Sequence, residues 1–235
     1  MTLARADDDA PLRTLLSIDG VRESVSLAGR IGLMAFHGGA LERMTDVIVE
    51  EAAARCGAST YLIRQPEHHR EHLPSHVYRP ADSPALARFV EHVDVAIAIH
   101  GYGRRGRFFT LLAGGANREL AAHLAGCVGA RLPEYHVECE LDLIPRELRG
   151  LHPRNPVNLP RGGGVQLELP PRVRGLGPFW GELEGAPGLR PHTEALVEGI
   201  AAAVRSWPAP KGGRGAHHGT SRTTPSGRSS VSGSR

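Results

Sequence analysis

The stretch Ile31-Gly-Leu-Met-Ala-Phe-His37-Gly-Gly-Ala-Leu-Glu42 decides how this chain is read. An apolar run ends in a histidine, two glycines follow, and a glutamate comes five residues after the histidine. The run predicts a buried strand over 31–36 entering a tight turn. A second run, Asp94-Val-Ala-Ile-Ala-Ile-His100-Gly101, ends the same way. A third, Gly164-Val-Gln-Leu-Glu168-Leu169, carries a carboxylate inside it.

Working outward, Leu41–Arg55 has helical composition and stops near Gly57, and Thr60–Ile63 reads as a strand. Val77-Tyr78 is a short strand candidate between prolines. Ser83 and Asn117 are positioned to cap helices over 84–92 and 117–126. Strands are expected over 93–99, 108–113 and 165–169, and a last helix over 193–207. Residues 131–160 read mostly as loop, with a short helix near 145–148. Alternating strands and helices favour an α/β fold. Near-continuous apolar strands favour a sheet covered on both faces. In such sheets functional residues gather at the carboxyl ends of strands, where His37 and His100 both fall.

A lone histidine after a strand is ordinarily a hydrogen-bonded turn residue. Two His-Gly junctions at two strand ends are not what packing alone supplies. Gly38 and Gly39 let the backbone turn so that Glu42 points back beside His37, and His100 adds a third ligand from another strand. Two histidines and a glutamate are a common ligand set for one catalytic Zn2+ with a position open for water. Gln166 and Glu168 share one face of their strand, opposite Val165, Leu167 and Leu169. Glu168 can then act as general base on a metal-activated water.

The 235 residues suffice for one substantial core. The formal net charge of +3 comes from the end of the chain. Lys211, Arg214, Arg222, Arg228 and Arg235 lie there with no acidic residue, and without them the chain is near neutral. Nucleic-acid binding by the folded part is therefore not expected. The expected division is a flexible segment 1–20, a catalytic domain 21–207 and a disordered basic tail 208–235. Cys56, Cys127 and Cys139 form no CxxC pair and suit a reducing compartment. With no signal-peptide pattern and no membrane-length apolar run, a cytoplasmic location is expected. His68, His69, His72 and His76 lie in a segment with prolines and read as surface loop rather than as a second metal site. The phosphate-loop patterns and the GxSxG pattern are absent, which argues against a nucleotide-binding domain and a serine hydrolase.

His37-Gly-Gly-Ala-Leu-Glu42, His72-Leu-Pro-Ser75, Ala98-Ile-His100-Gly101, Leu112-Ala-Gly-Gly115, His152-Pro-Arg-Asn-Pro-Val-Asn158 and Gly164-Val-Gln-Leu-Glu-Leu169 come in this order. Together they resemble the poly-γ-glutamate hydrolase family of bacteriophages and bacilli, over about residues 20 to 206. The resemblance implies a zinc carboxypeptidase-like fold: one three-layer α/β/α domain with a mixed, mostly parallel sheet. It implies one zinc held by His37, Glu42 and His100, with Glu168 as base, cleaving γ-amide links. The His-to-Glu spacing is longer than in carboxypeptidases proper. An anionic polymer needs cations and donors. Candidates are Arg104, Arg105 and Arg107, Arg154, and Arg172 or Arg174, with Arg172, Arg105, Asn155 and Asn158 put forward. The alternatives are a zinc carboxypeptidase or peptidoglycan-type amidase, and a non-catalytic binding module on the same fold.

Overall fold

The three apolar runs become neighbouring strands in the middle of one sheet. The computed structural model describes residues 10–177 and 188–208. In chain order the strands are β1 (Arg22–Ser26), β2 (Ile31–Gly39), β3 (Ser59–Gln65), β4 (Val95–Gly101), β5 (Thr110–Ala113), β6 (His136–Glu138) and β7 (Gly164–Leu169). The helices are α1 (Pro11–Leu16), α2 (Thr45–Cys56), α3 (Pro84–His92), α4 (Arg118–Gly129) and α5 (Pro191–Ser206). The seven strands lie in the order β1-β3-β2-β4-β7-β5-β6. β3, β2, β4 and β7 run parallel, as do β5 and β6, while β1 is antiparallel to β3 and β5 to β7.

Alternation along the inner strands supplies two cores. Leu33, Ala35, Ile97, Ile99, Val165 and Leu167 face α2, α4 and α5. Met34, Phe36, Ala96 and Ala98 face α1 and α3. Helices on both faces of a mixed, mostly parallel sheet make the expected three-layer α/β/α fold. Ser83 and Asn117 cap α3 and α4, accepting from the backbone N–H groups of Leu86 and Leu120. Arg55 at the end of α2 binds Glu194 and Glu198 of α5, tying two neighbouring helices together. Among the described residues, no helix is long and apolar enough to cross a membrane.

Several elements differ from the sequence reading. The segment before residue 20 was expected to be flexible, but Pro11–Leu16 is a helix whose Leu12 and Leu15 are 0% exposed. Six residues are too few for helical periodicity to register. β1 was missed because it is an edge strand of alternating exposure with one aliphatic residue, Val25. Ser75–Val77 is a 3-10 turn rather than a strand, and it delivers Tyr78 into the core beside Phe36. β6 lies within the stretch read as loop. The expected tail beyond Pro208 lies outside the described residues.

The packing of α1 is testable. Leu12→Ala should destabilise the protein by about 2–5 kcal/mol, as for other fully buried leucines. Urea denaturation measures it, and a loss below about 0.5 kcal/mol would detach α1 from the core.

Candidate metal centre and active site

β2 and β4 pair only from Ile31↔Val95 to Met34↔Ala98 and then separate. The chain leaves β2 toward β3 on one side, and β4 lies on the other. This is a topological switch point, where open α/β sheets leave a crevice beyond the strand ends. His37 and His100 stand on either side of it, with ring centroids 5.1 Å apart.

Strict alternation would point His37 toward α2, with Leu33 and Ala35. The register between β2 and β3 prevents this. Ala35 pairs with Leu62 and Gly38 with Arg64, so β2 carries one extra residue. Such a bulge puts two successive side chains on the same side. Phe36 and His37 accordingly both contact Tyr78 and His100. Gly38 then faces α2, where a Cβ would come within 2.6 Å of Asp46 Cβ. Gly39 turns the chain with φ 71°. Its N–H donates to Asp46 Oδ1, and Arg64 Nε donates to Asp46 Oδ2. Glu42 was expected within the helix, but it occupies a turn, because α2 starts only at Thr45. The Glu42 N–H donates to His37 O at 2.7 Å. Met44 closes the turn with φ 75°, alone among the described non-glycine residues in that region.

The Glu42 carboxylate lies between the two rings. Oε1 is 2.8 Å from His37 Nδ1, and Oε2 is 3.5 Å from His100 Nδ1. Oε2 also accepts the Gly101 N–H at 2.8 Å. His37 Nε2 meets the Leu73 carbonyl at 2.9 Å, and a carbonyl only accepts, so Nε2 carries a hydrogen. Nδ1 of the neutral ring is then a lone pair aimed at a carboxylate oxygen. A positive charge between them, a proton or a metal ion, makes that approach favourable. This is the usual arrangement of a metal-binding imidazole, whose second nitrogen is held by a carbonyl. His37, Glu42 and His100 offer ligand atoms all within 4.8 Å of one another, a set that fits a divalent metal.

The electrostatics agree. Burial works against a charge on Glu42, but the hydrogen bonds and charges of His100 and His37 outweigh it and hold the carboxyl well below its ordinary range. Burial likewise opposes a charge on His100, and Glu42 overrides it, raising that pKa. Arg174 lies flat on Gly101, where a Cβ would be 2.7 Å from Cζ, and it donates to Arg43 O at 2.7 Å.

Glu168 sits opposite His100 across the β4–β7 ladder. It is 3% exposed, on a strand paired on both sides. Burial pushes its pKa up, the positive charge of His100 opposes this, and Glu42 adds to the rise. Glu168 Oε1 accepts Gln166 Nε2 at 2.8 Å, and Gln166 Oε1 accepts Asn155 Nδ2 at 2.8 Å. Asn155 is carried in by a loop seated on three glycines. A Cβ at Gly114 would meet Arg149 O at 2.3 Å, and one at Gly150 would meet Gln166 Cβ at 2.6 Å. Gly115, with φ 89°, donates its N–H to Arg149 O.

These groups line a cleft of 390 Å³. His37, Glu42, His100 and Glu168, all named from sequence, come together there with Asn155. Arg172, Arg105 and Asn158 do not line it. Arg172 lies over the Phe109 ring, 4.3 Å from its centroid. Arg105 is exposed on the loop after β4. Asn158 braces the loop, accepting the Ala116 N–H and donating to Gly150 O. The cation on the wall is instead Arg146, with His72, His76 and His152. His76 and His152 stack at 4.5 Å, and His72 lies 4.5 Å from His37, ring to ring. The His152-Pro-Arg-Asn155 run marked this loop, but nothing in the sequence distinguished Arg146 from its neighbours.

The fold has close counterparts among solved structures. A bacteriophage poly-gamma-glutamate hydrolase aligns with a TM-score of 0.63 at 21% identity, covering 78% of this chain and 87% of that one. The zinc-free form of YNDL aligns with a TM-score of 0.63 at 18% identity, covering 79% and 90%. No curated protein sequence matches. The sequence model of one family, described as poly-gamma-glutamate hydrolase, matches residues 20–176, more than half of the chain. The chain belongs to the poly-gamma-glutamate hydrolase family.

Proposed function

We propose that this protein is a zinc-dependent hydrolase that cuts γ-glutamyl amide bonds of poly-γ-glutamate. The observation that carries the reading is a His-Glu-His ligand set with a separate buried glutamate on the adjoining strand. Family membership supports the substrate class. A non-catalytic module is disfavoured, since the three ligands and the base all line one cleft.

His37 Nδ1, the Glu42 carboxylate and His100 would hold the metal, and the Leu73 carbonyl fixes the His37 tautomer. Bound zinc supplies a Lewis acid that acidifies water and polarises the scissile carbonyl. Glu168 takes the proton of the attacking water and hands it to the leaving amine nitrogen as the C–N bond breaks. Its raised pKa makes it a stronger base than an exposed carboxylate. Arg146 supplies a cation, and the wall histidines supply hydrogen-bonding groups, for the free α-carboxylates of the polymer. Arg104 pairs with Glu147 beside Arg146, so the acidic neighbour of that cation is already engaged.

Metal analysis and polymer chain-length analysis test the reading together. About one zinc per chain and chelator-sensitive shortening of poly-γ-glutamate are expected. Release of single terminal residues in place of internal cuts would favour a carboxypeptidase. Zinc without shortening would point to another peptide amide, and failure to bind supplied zinc would end the hydrolase reading. His37→Ala should lose the metal. Glu168→Gln should keep it and lower kcat at least about 100-fold, within the range general-base catalysis contributes. Wild-type turnover by Glu168→Gln would remove the base assignment.

A further inference from the structure

We propose that Gln166 and Asn155 are positioning residues that fix which oxygen of Glu168 does the chemistry. The proposal rests on the reading of Glu168 as the base.

The direction of every amide in the chain is forced. The Val157 N–H can only donate, so Asn155 turns its oxygen to it, at 3.3 Å. Asn155 Nδ2 then faces Gln166 Oε1, at 2.8 Å. The Gly150 carbonyl, an acceptor 3.5 Å from the same nitrogen, agrees with that orientation. Gln166 therefore has only its nitrogen left for Glu168 Oε1. Reversing one amide would set oxygen against oxygen, or donor against donor, inside a buried site.

The consequence is positional. Gln166 is 5% exposed and Asn155 2%, so bulk water does not compete for these bonds. Glu168 Oε1 is held by a neutral donor that exchanges no proton during the reaction. The other oxygen is left to take the proton as the water oxygen bonds to the scissile carbon. The same oxygen releases that proton to the amine nitrogen when the C–N bond breaks. Asn155 was expected to bind substrate. Its side-chain oxygen and nitrogen instead meet protein groups, which suits a role through Glu168 better than a contact with the polymer.

The test uses the zinc-loaded full chain with poly-γ-glutamate. Gln166→Met removes the donor to Glu168. Asn155→Asp keeps side-chain volume but replaces a donor by an acceptor, which forces Gln166 to turn its oxygen toward Glu168. Each should lower kcat about 10- to 100-fold, as loss of an orienting partner does. KM should stay within about twofold and zinc content should be unchanged. The double variant should be no slower than Gln166→Met alone, since the two act through one chain of bonds. Multiplying losses, a raised KM with kcat intact, or kcat within about twofold of the parent would each overturn the proposal. If Gln166→Met does not fold, Asn155→Asp decides by the same kcat and KM criteria. Glu168→Gln in the same assay separates the two ideas. If it is inactive while both upstream variants are fully active, only the positioning role fails. If it is fully active, the base assignment fails first.

Discussion

The parting of β2 from β4 after Met34 and Ala98 is the constraint on which the rest of the site depends. Parallel strands that stayed paired to their ends would leave no crevice, and in continued register Phe36 would lie beside His100 while His37 faced the other side of the sheet. Here the ladder stops early, and the extra residue in β2 brings His37 round to the face of His100. Gly38 and Gly39 then take the chain past Asp46 and Gln65 with no room for a side chain. Glu42 arrives between the two rings as a result of this backbone path, and the Gly101 N–H receives it there. The cluster of His37, Glu42 and His100 is a product of backbone geometry before it is a product of side-chain chemistry.

What the sequence made legible was the inner sheet and its ends. The apolar runs at 31–36, 95–99 and 165–169 read as strands, and the alternation of Gln166 and Glu168 against Val165, Leu167 and Leu169 gave the two faces of β7. The bulge was not legible, because an extra residue leaves no mark in hydropathy. Placing Glu42 at the start of a helix overlooked that a left-handed residue, Met44, lets the turn run on to Thr45. Edge and short elements such as β1, β6 and α1 owe their structure to partners far away in sequence, so local composition did not announce them. Which arginines reach the cleft was not legible. Arg172 resembles a binding residue in sequence but stacks on Phe109, whereas Arg146 reaches the cleft through a loop whose path depends on Gly114 and Gly115.

Two carboxyl groups, Glu42 and Glu168, share this buried region and are handled differently. Glu42 is surrounded by donors and rings that stabilise its ionised form. Glu168 has one neutral donor and a burial penalty that raises its pKa. The two environments thus push the two carboxyl groups in opposite directions, one toward the charged form and one toward the neutral form. Arg174, inserted against Gly101, is itself buried: burial lowers its pKa, and the charges of Glu42 and Glu168 only partly offset that.

The pairing of His100 with Glu168 across the β4–β7 ladder has a bearing on how this site could diversify. His100 and Glu168 hang from hydrogen-bonded neighbours in the sheet, so their separation is a lattice constant of the fold rather than a degree of freedom. The walls, by contrast, come from the segments around His72–His76 and Arg146–His152. The walls and the sheet-borne pair are therefore mechanically decoupled. The walls can be rebuilt to another shape or charge while His100 and Glu168 keep their spacing.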